Sequence, residues 1–131
     1  PVVPDEDLDL AAGQPVVASS EEGPFAAVNA VDADSRSRWS SLFTDDEWIY
    51  VDLGSLQSLS QIVLNWEWAY GSSYKIQVSD DATMWTDVFS ETAGDGGEDV
   101  INLSATGRYV RKLGVARATL WGYSLYEFEV Y

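Results

Sequence analysis

Short runs of alternating apolar and polar residues, each closed by a turn signal, follow one another along the chain. Trp48-Ile49-Tyr50-Val51-Asp52-Leu53 alternates, and so does Ile62-Val63-Leu64-Asn65-Trp66, with Ile62, Leu64 and Trp66 on one face. Tyr74 to Val78, Tyr109 to Arg111 and Leu125 to Val130 keep the same period of two. Between them stand Glu22-Gly23-Pro24, Asp32-Ala33-Asp34, Gly54-Ser55, Gly71-Ser72, Asp80-Asp81, Gly94-Asp95-Gly96-Gly97 and Trp121-Gly122, all residues that favour turns. Only Ala26 to Val31 has helical character. Strands at this spacing with no helices between them predict an all-β chain. The expected form is an antiparallel β-sandwich of the jelly-roll type with about eight strands.

Composition then removes whole classes of chemistry. The 131 residues contain no Cys and no His. Disulfide frameworks, thiolate or imidazole metal sites, and Ser-His-Asp or Cys-His catalysis are all excluded. A metal here has to be a hard cation bound by oxygen. The 22 carboxylates outnumber 7 basic side chains, giving a formal charge of −15. Such a surface repels nucleic acid and anionic membranes. It suits a saline habitat or a cationic partner. The 6 Trp, 7 Tyr and 4 Phe argue against disorder. The acidic, Pro-containing stretch at residues 1–9 reads as a linker remnant, with one domain over residues 10–131.

The motifs now resemble a family. Ala30-Val31-Asp32-Ala33-Asp34-Ser35-Arg36-Ser37-Arg38-Trp39-Ser40-Ser41 resembles the first signature of the discoidin, or coagulation factor V/VIII type C, domains. Trp48 to Gly54 resembles the second, and Tyr74 to Asp81 followed by Trp85 the third. Arg108 to Arg111, then Gly122 to Tyr131, resembles the close. Within that superfamily, with its galactose-binding-like sandwich, Leu64-Asn65-Trp66-Glu67, Gly94 to Gly97 and Tyr123 to Glu127 are most similar to family 32 carbohydrate-binding modules. Such modules accompany bacterial polysaccharide hydrolases. The resemblance implies a non-catalytic module, secreted to the extracellular space beside the catalytic domain of a parent chain.

Asp32, Asp34 and Ser37 crowd one turn-rich segment, and hard cations take their ligands from carboxylates, hydroxyls and carbonyls. The resemblance implies a structural Ca2+ held by the backbone carbonyls of Asn29, Asp34 and Tyr126, the side chains of Asp32 and Ser37, and the Glu127 carboxylate. The family has Gly where Ala33 stands, so a left-handed backbone there would cost this chain something.

Sugar rings present flat C–H faces to aromatic rings, and polar residues bond their hydroxyls. Trp39, Trp48, Trp66, Tyr74, Trp85, Tyr109 and Phe128 fall in strand-like runs and are expected in the core. Trp68, Tyr70 and Trp121 fall in or beside loops, which makes them candidate ligand contacts. Glu21 and Glu22, in the first loop, would bond hydroxyls or an ammonium. Arg117 would donate a forked pair of hydrogen bonds. Glu67 would either touch the sugar or pair with a neighbouring Arg.

The expected ligand is a polysaccharide or oligosaccharide, first a β-1,3-linked glucan. Chitosan is the alternative, because its readers tend to carry an acid after Arg-Trp-Ser-Ser, where this chain has Leu42. A discoidin-type adhesion module binding protein or lipid is a further alternative, opposed for anionic lipid by the charge. Paired carboxylates among 22 are no evidence for a glycosidase.

Overall fold

The computed structural model describes residues 8–131. Residues 1–7 of the expected linker lie outside the described part. Leu8 and Asp9 lie inside it, and Asp9 belongs to the domain. Its carboxylate accepts from the Val130 amide at 2.9 Å, and Leu10 N–H donates to the Val130 carbonyl at 2.7 Å.

Among the described residues, seven strands and one 3-10 turn make up the fold: β1 (Val16–Ala18), the turn (Ala27–Ala30), β2 (Trp39–Ser40), β3 (Trp48–Trp66), β4 (Gly71–Ser79), β5 (Thr86–Glu91), β6 (Glu98–Arg117) and β7 (Ser124–Val130). Every pairing is antiparallel, in the order β2-β7-β3-β6-β4-β5, with β1 added on β3. The strand count is below eight because runs that read as separate strands are continuous. Trp48–Leu53 and Ile62–Trp66 are two halves of one 19-residue strand, β3. Its 20-residue partner β6 runs beside it, and the register slips between Asp52 and Gln57 and again between Leu59 and Gln61. Those irregularities bend the ribbon, as bulges do. One half then pairs with β1 and β4, the other with β7, so a single sheet closes on itself as the expected sandwich.

The core fills the space between the layers. Ile49, Val51 and Leu53 point inward from one half of β3, Ile62, Leu64 and Trp66 from the other. They meet Tyr74 and Ile76 of β4, Val110 of β6, and Phe128 and Val130 of β7. Each large side chain so enclosed contributes about 1.5–3 kcal/mol. Trp39, Trp66, Tyr74 and Phe128 are core, as expected. Trp48, Trp85 and Tyr109 are not. Strand parity sends Trp48 and Tyr50 outward while Ile49 and Val51 go in, and the rings pack on the outer face. Tyr50 lies 5.6, 5.4 and 5.8 Å from the rings of Trp48, Trp85 and Tyr109. Arg111 stacks over Trp85 at 4.2 Å.

One core member is a cation. Lys112 of β6 is fully buried. Its ammonium sits among the rings of Trp39, Trp66 and Tyr123, at 5.2, 5.8 and 3.6 Å, and reaches the Glu47 carbonyl at 3.4 Å. Burial holds its pKa well below the ordinary 10.5.

Candidate functional site

Four stretches far apart in sequence meet at one end of the sandwich. Glu22 N–H donates to the Ser40 carbonyl, Ser41 N–H to Tyr123, Glu67 N–H to Ser124, Ser124 N–H to Ala69 and Ala118 N–H to Tyr70. This stitching holds the loops after β1, β2, β3 and β6 in one rim. Gly122 allows the closest approach. A Cβ there would stand 2.4 Å from the Ser41 and Leu42 carbonyl oxygens, so any larger residue would push the loops apart.

The rim encloses a cleft of about 280 Å³, a size suited to one small ring rather than an extended ligand. Trp68 and Trp121 stand on its wall, 70 % and 54 % exposed. Both lack the cover that a purely structural tryptophan would have. Phe43 meets Trp121 edge-on with centroids 5.5 Å apart and steadies its ring. Glu22, Arg38, Ser40, Glu67, Tyr123 and Ser124 supply the rest of the wall.

Arg38 organises the polar part of that wall. Its Nη1 donates to Ser40 Oγ at 3.0 Å, to Ser124 Oγ at 2.9 Å and to Glu67 Oε1 at 3.2 Å. Its guanidinium lies 3.9 Å from the Phe25 ring centre. Glu67 therefore takes the second of its two expected roles, pairing with an Arg. Its Oε1 also accepts from the Ala69 amide at 3.3 Å. With Arg38 and Glu67 matched, Glu22 is the carboxylate left over. It has no side-chain hydrogen bond among the described residues, so the cleft has one uncompensated negative charge.

Two expected contacts prove to be braces. Glu21 does not line the cleft; its Oε2 accepts from the Ala27 amide at 2.6 Å, at the start of the 3-10 turn. Arg117 is tied down by Asp45 at 2.8 Å and by the Phe43, Leu120 and Trp121 carbonyls at 2.8, 3.3 and 3.5 Å. A guanidinium committed to three carbonyls and a carboxylate clamps the Trp121 loop, so its Nε and Nη1 are not available as a fork for a ligand. Tyr70 and Arg117 face a second, outer hollow rather than the cleft. Arg38, Ser40, Tyr123 and Ser124 were not singled out from sequence. The only signal for Arg38 was its place inside Arg38-Trp39-Ser40-Ser41.

A separate cluster brings together four of the residues expected to hold calcium, Asp32, Asp34, Ser37 and Glu127. Asp32 Oδ1 accepts from the Asp34 amide at 3.0 Å, and Asp32 Oδ2 accepts from Ser37 Oγ at 2.5 Å. Ser37 Oγ also lies 3.1 Å from the Asp34 carbonyl. Asp34 spends its own carboxylate on Arg36 at 3.1 Å. Ala33 holds φ at +59°, the left-handed conformation that costs an alanine. Asn29 lies in the 3-10 turn, its side-chain amide donating to the Arg38 carbonyl at 3.1 Å.

Glu127 faces Asp32 across this loop. The β3–β7 register slips just after the Asn65–Glu127 pair, leaving Tyr126 unpartnered, and strand alternation points Glu127 to the opposite face from Phe128 and Val130. It is nevertheless buried, and its Oε1 has no hydrogen-bond partner among the described residues. Burial, then the Asp32 carboxylate, then Glu129 and Asp9, push its pKa up to about 8. Among the described residues no group of three Asp or Glu side chains converges as a metal site. The cluster instead offers two carboxylates, a hydroxyl and a carbonyl. That mixed oxygen set and the orphaned oxygen fit a hard cation.

Residues 29–112 match the family described as NedA-like, galactose-binding domain, of the F5/F8 type C class. Chitosan-binding module 1 of a chitosanase/glucanase from Paenibacillus sp. IK-5 is 50 % identical, with a TM-score of 0.92 over 95 % of this chain and 98 % of that one. Chitosan-binding module 2 of the same enzyme, solved in complex with chitotriose, is 43 % identical, with a TM-score of 0.91 over 94 % and 99 %. A polysaccharide lyase 8 family protein, HylA of Enterococcus faecalis, is 36 % identical over 74 residues. Those residues are 56 % of this chain, which spans 5 % of that protein's length.

Proposed function

The chain belongs to the NedA-like, galactose-binding family of F5/F8 type C domains, and from that premise we propose that it is a non-catalytic carbohydrate-binding module whose cleft takes the glucosamine units of chitosan. One observation carries the choice of sugar: Glu22 leaves the cleft between two exposed indoles with a single unmatched carboxylate. Indole faces pack on the C–H face of a pyranose, and a carboxylate beside them bonds an ammonium strongly. The relatives at 50 % and 43 % identity, both chitosan-binding modules, support the same ligand. This reverses the order drawn from the sequence, where a β-1,3-glucan stood first. Leu42 lacks the acid expected of a chitosan reader, but it does not line the cleft. Glu22, on a different loop, takes that part.

The module would work in the extracellular space, holding the catalytic domain of a parent polysaccharide-degrading enzyme on its substrate and raising local concentration. A lipid-binding role is less well supported. The two cations nearest the exposed tryptophans, Arg38 and Arg117, are both spent on internal partners.

We also infer that the Asp32–Glu127 cluster holds a structural Ca2+. The Asp32 and Glu127 carboxylates, the Ser37 hydroxyl and the Asp34 carbonyl would bind it, with the Asn29 and Tyr126 carbonyls completing the set. The ion would tie the loop to β7 and has no part in chemistry.

Calorimetric titration of the domain with chitosan oligosaccharides and with laminarin, at low and high salt, tests the ligand. Binding to the chitosan oligomers that weakens strongly with salt is expected, since only a charged ligand is screened. Salt-independent binding to laminarin alone would return the reading to the neutral glucan.

A further inference from the structure

The cleft has a neighbour. Against the same two indoles lies a wider, shallower hollow of about 630 Å³, walled also by Tyr70, Arg117, Thr119 and Leu120. Trp68 and Trp121 belong to both walls, so the two seats adjoin at these indoles. A chain running past them would place one unit in each.

The seats differ in chemistry. No carboxylate lines the outer one. Its only ionic side chain, Arg117, is matched by Asp45 at 2.8 Å, so the wall offers an ammonium no anion. It offers a neutral amide a good deal more. Arg117 Nε and Nη1 are committed, but Nη2 has no hydrogen-bond partner among the described residues and can donate to a carbonyl oxygen. Leu120 is 90 % exposed, an apolar side chain with nothing yet covering it. Beside it Tyr70 gives a half-buried ring. A planar acetamido group needs one donor for its oxygen and apolar surface for its methyl, and this hollow supplies both.

We propose that the outer hollow seats an N-acetylated unit, so that the module reads the junction between a glucosamine and an N-acetylglucosamine in a partly acetylated chain. The inference rests on the amino-sugar reading of the inner cleft and adds a second, neutral seat to it. It makes the degree of acetylation part of what the module recognises.

Four disaccharides test it by calorimetry at fixed salt: fully deacetylated, fully acetylated, and the two mixed orders. One mixed disaccharide is expected to bind about fourfold more tightly than the deacetylated one, the gain from covering one methyl group. In Leu120→Ser that ratio should fall towards one. Leu120 is so exposed that the substitution leaves the fold intact, which a thermal melt verifies. A wild-type ratio of one or below overturns the junction while leaving the glucosamine cleft standing. A preference that Leu120→Ser does not change overturns the assignment to this hollow. If no disaccharide and no chitosan oligomer binds, the amino-sugar reading itself fails and takes the junction with it.

Discussion

The Lys112 ammonium stands 3.6 Å from the centre of the Tyr123 ring, inside the core. Tyr123 lines the cleft and donates its hydroxyl to the Asp45 carbonyl at 2.5 Å. It is pinned from behind as well: a Cβ on Gly114 would meet its ring at 2.3 Å. The lysine therefore packs against a ring that also lines the cleft. Aromatic faces attract a cation but do not replace its lost hydration, so the lysine is an energetic burden.

Lys112→Met keeps the volume and removes the charge. The variant is expected to be at least as stable as the wild type at pH 7, with a gain of up to about 4 kcal/mol in chemical denaturation. The sign with pH follows from the depressed pKa. The unfolded chain holds the proton more tightly, so wild-type stability gains from this group as pH rises from the folded value towards 10.5. The advantage of the Met variant should thus shrink as pH rises towards 10.5. An advantage that grows with pH would contradict the burial argument.

Trp121→Ala should cut affinity for chitosan oligomers by about tenfold or more, because the stacking face is gone. Its ring is more than half exposed, so the melting temperature should barely change. Calorimetry and a melt on the same sample separate the two effects. An unaltered affinity would remove Trp121 from the site.

Glu22→Gln keeps the shape of the inner cleft and deletes its unmatched charge. Affinity at low salt should drop about tenfold, the value of one charge-assisted hydrogen bond, and the salt dependence should flatten. Titrations at two ionic strengths measure both. A variant that stays as salt-sensitive as the wild type would move the ammonium to another partner.

Sequence alternation identified the sandwich because burial on one side of a strand imposes a period of two, and β3, β4 and β7 obey it. The continuity of β3 and β6 was illegible. Gly54-Ser55 reads as a turn locally, and only pairing across the ribbon turns it into a bulge. The exposed indoles at Trp68 and Trp121 could be found because large apolar rings in loops lack a local reason to be there. Arg38 and Arg117 could not be sorted. The carboxylates that pair with them, Glu67 and Asp45, are remote in sequence, as are the Ser124 hydroxyl and the Phe43 carbonyl. Glu21 and Glu22 are neighbours with different fates for the same reason: which one meets the Ala27 amide depends on how the loop turns.

Glu127 makes the metal-free protein sensitive to pH in a defined direction. Its folded pKa of about 8 lies above the ordinary 4.5, so the native state holds the proton more tightly than the unfolded chain. That stabilisation is complete below pH 4.5 and is lost as pH rises to about 8. In EDTA the melting temperature should fall from pH 5 to pH 8. Added Ca2+ should raise it, and by more at pH 8, where the carboxylate is available. Identical melts in EDTA and Ca2+ at pH 8 would eliminate the ion.

Ala33→Gly removes the cost of a left-handed alanine in the Asp32–Ser37 loop. A gain of up to about 1 kcal/mol is expected, reduced by the greater freedom of glycine in the unfolded chain. Denaturant unfolding in EDTA measures it without help from the metal. A loss would show that the loop pays more for flexibility than for strain.

The bond from Leu10 to the Val130 carbonyl has a practical reach. It puts the first and last described parts of the domain side by side at the far end of β7 from Ser124, which lines the cleft. Seven extended residues separate the two ends by roughly 20 Å. A bead, a fluorophore or a fused enzyme grafted after Tyr131 would hang from that end of the strand, with the cleft at the other end turned outward to the polymer.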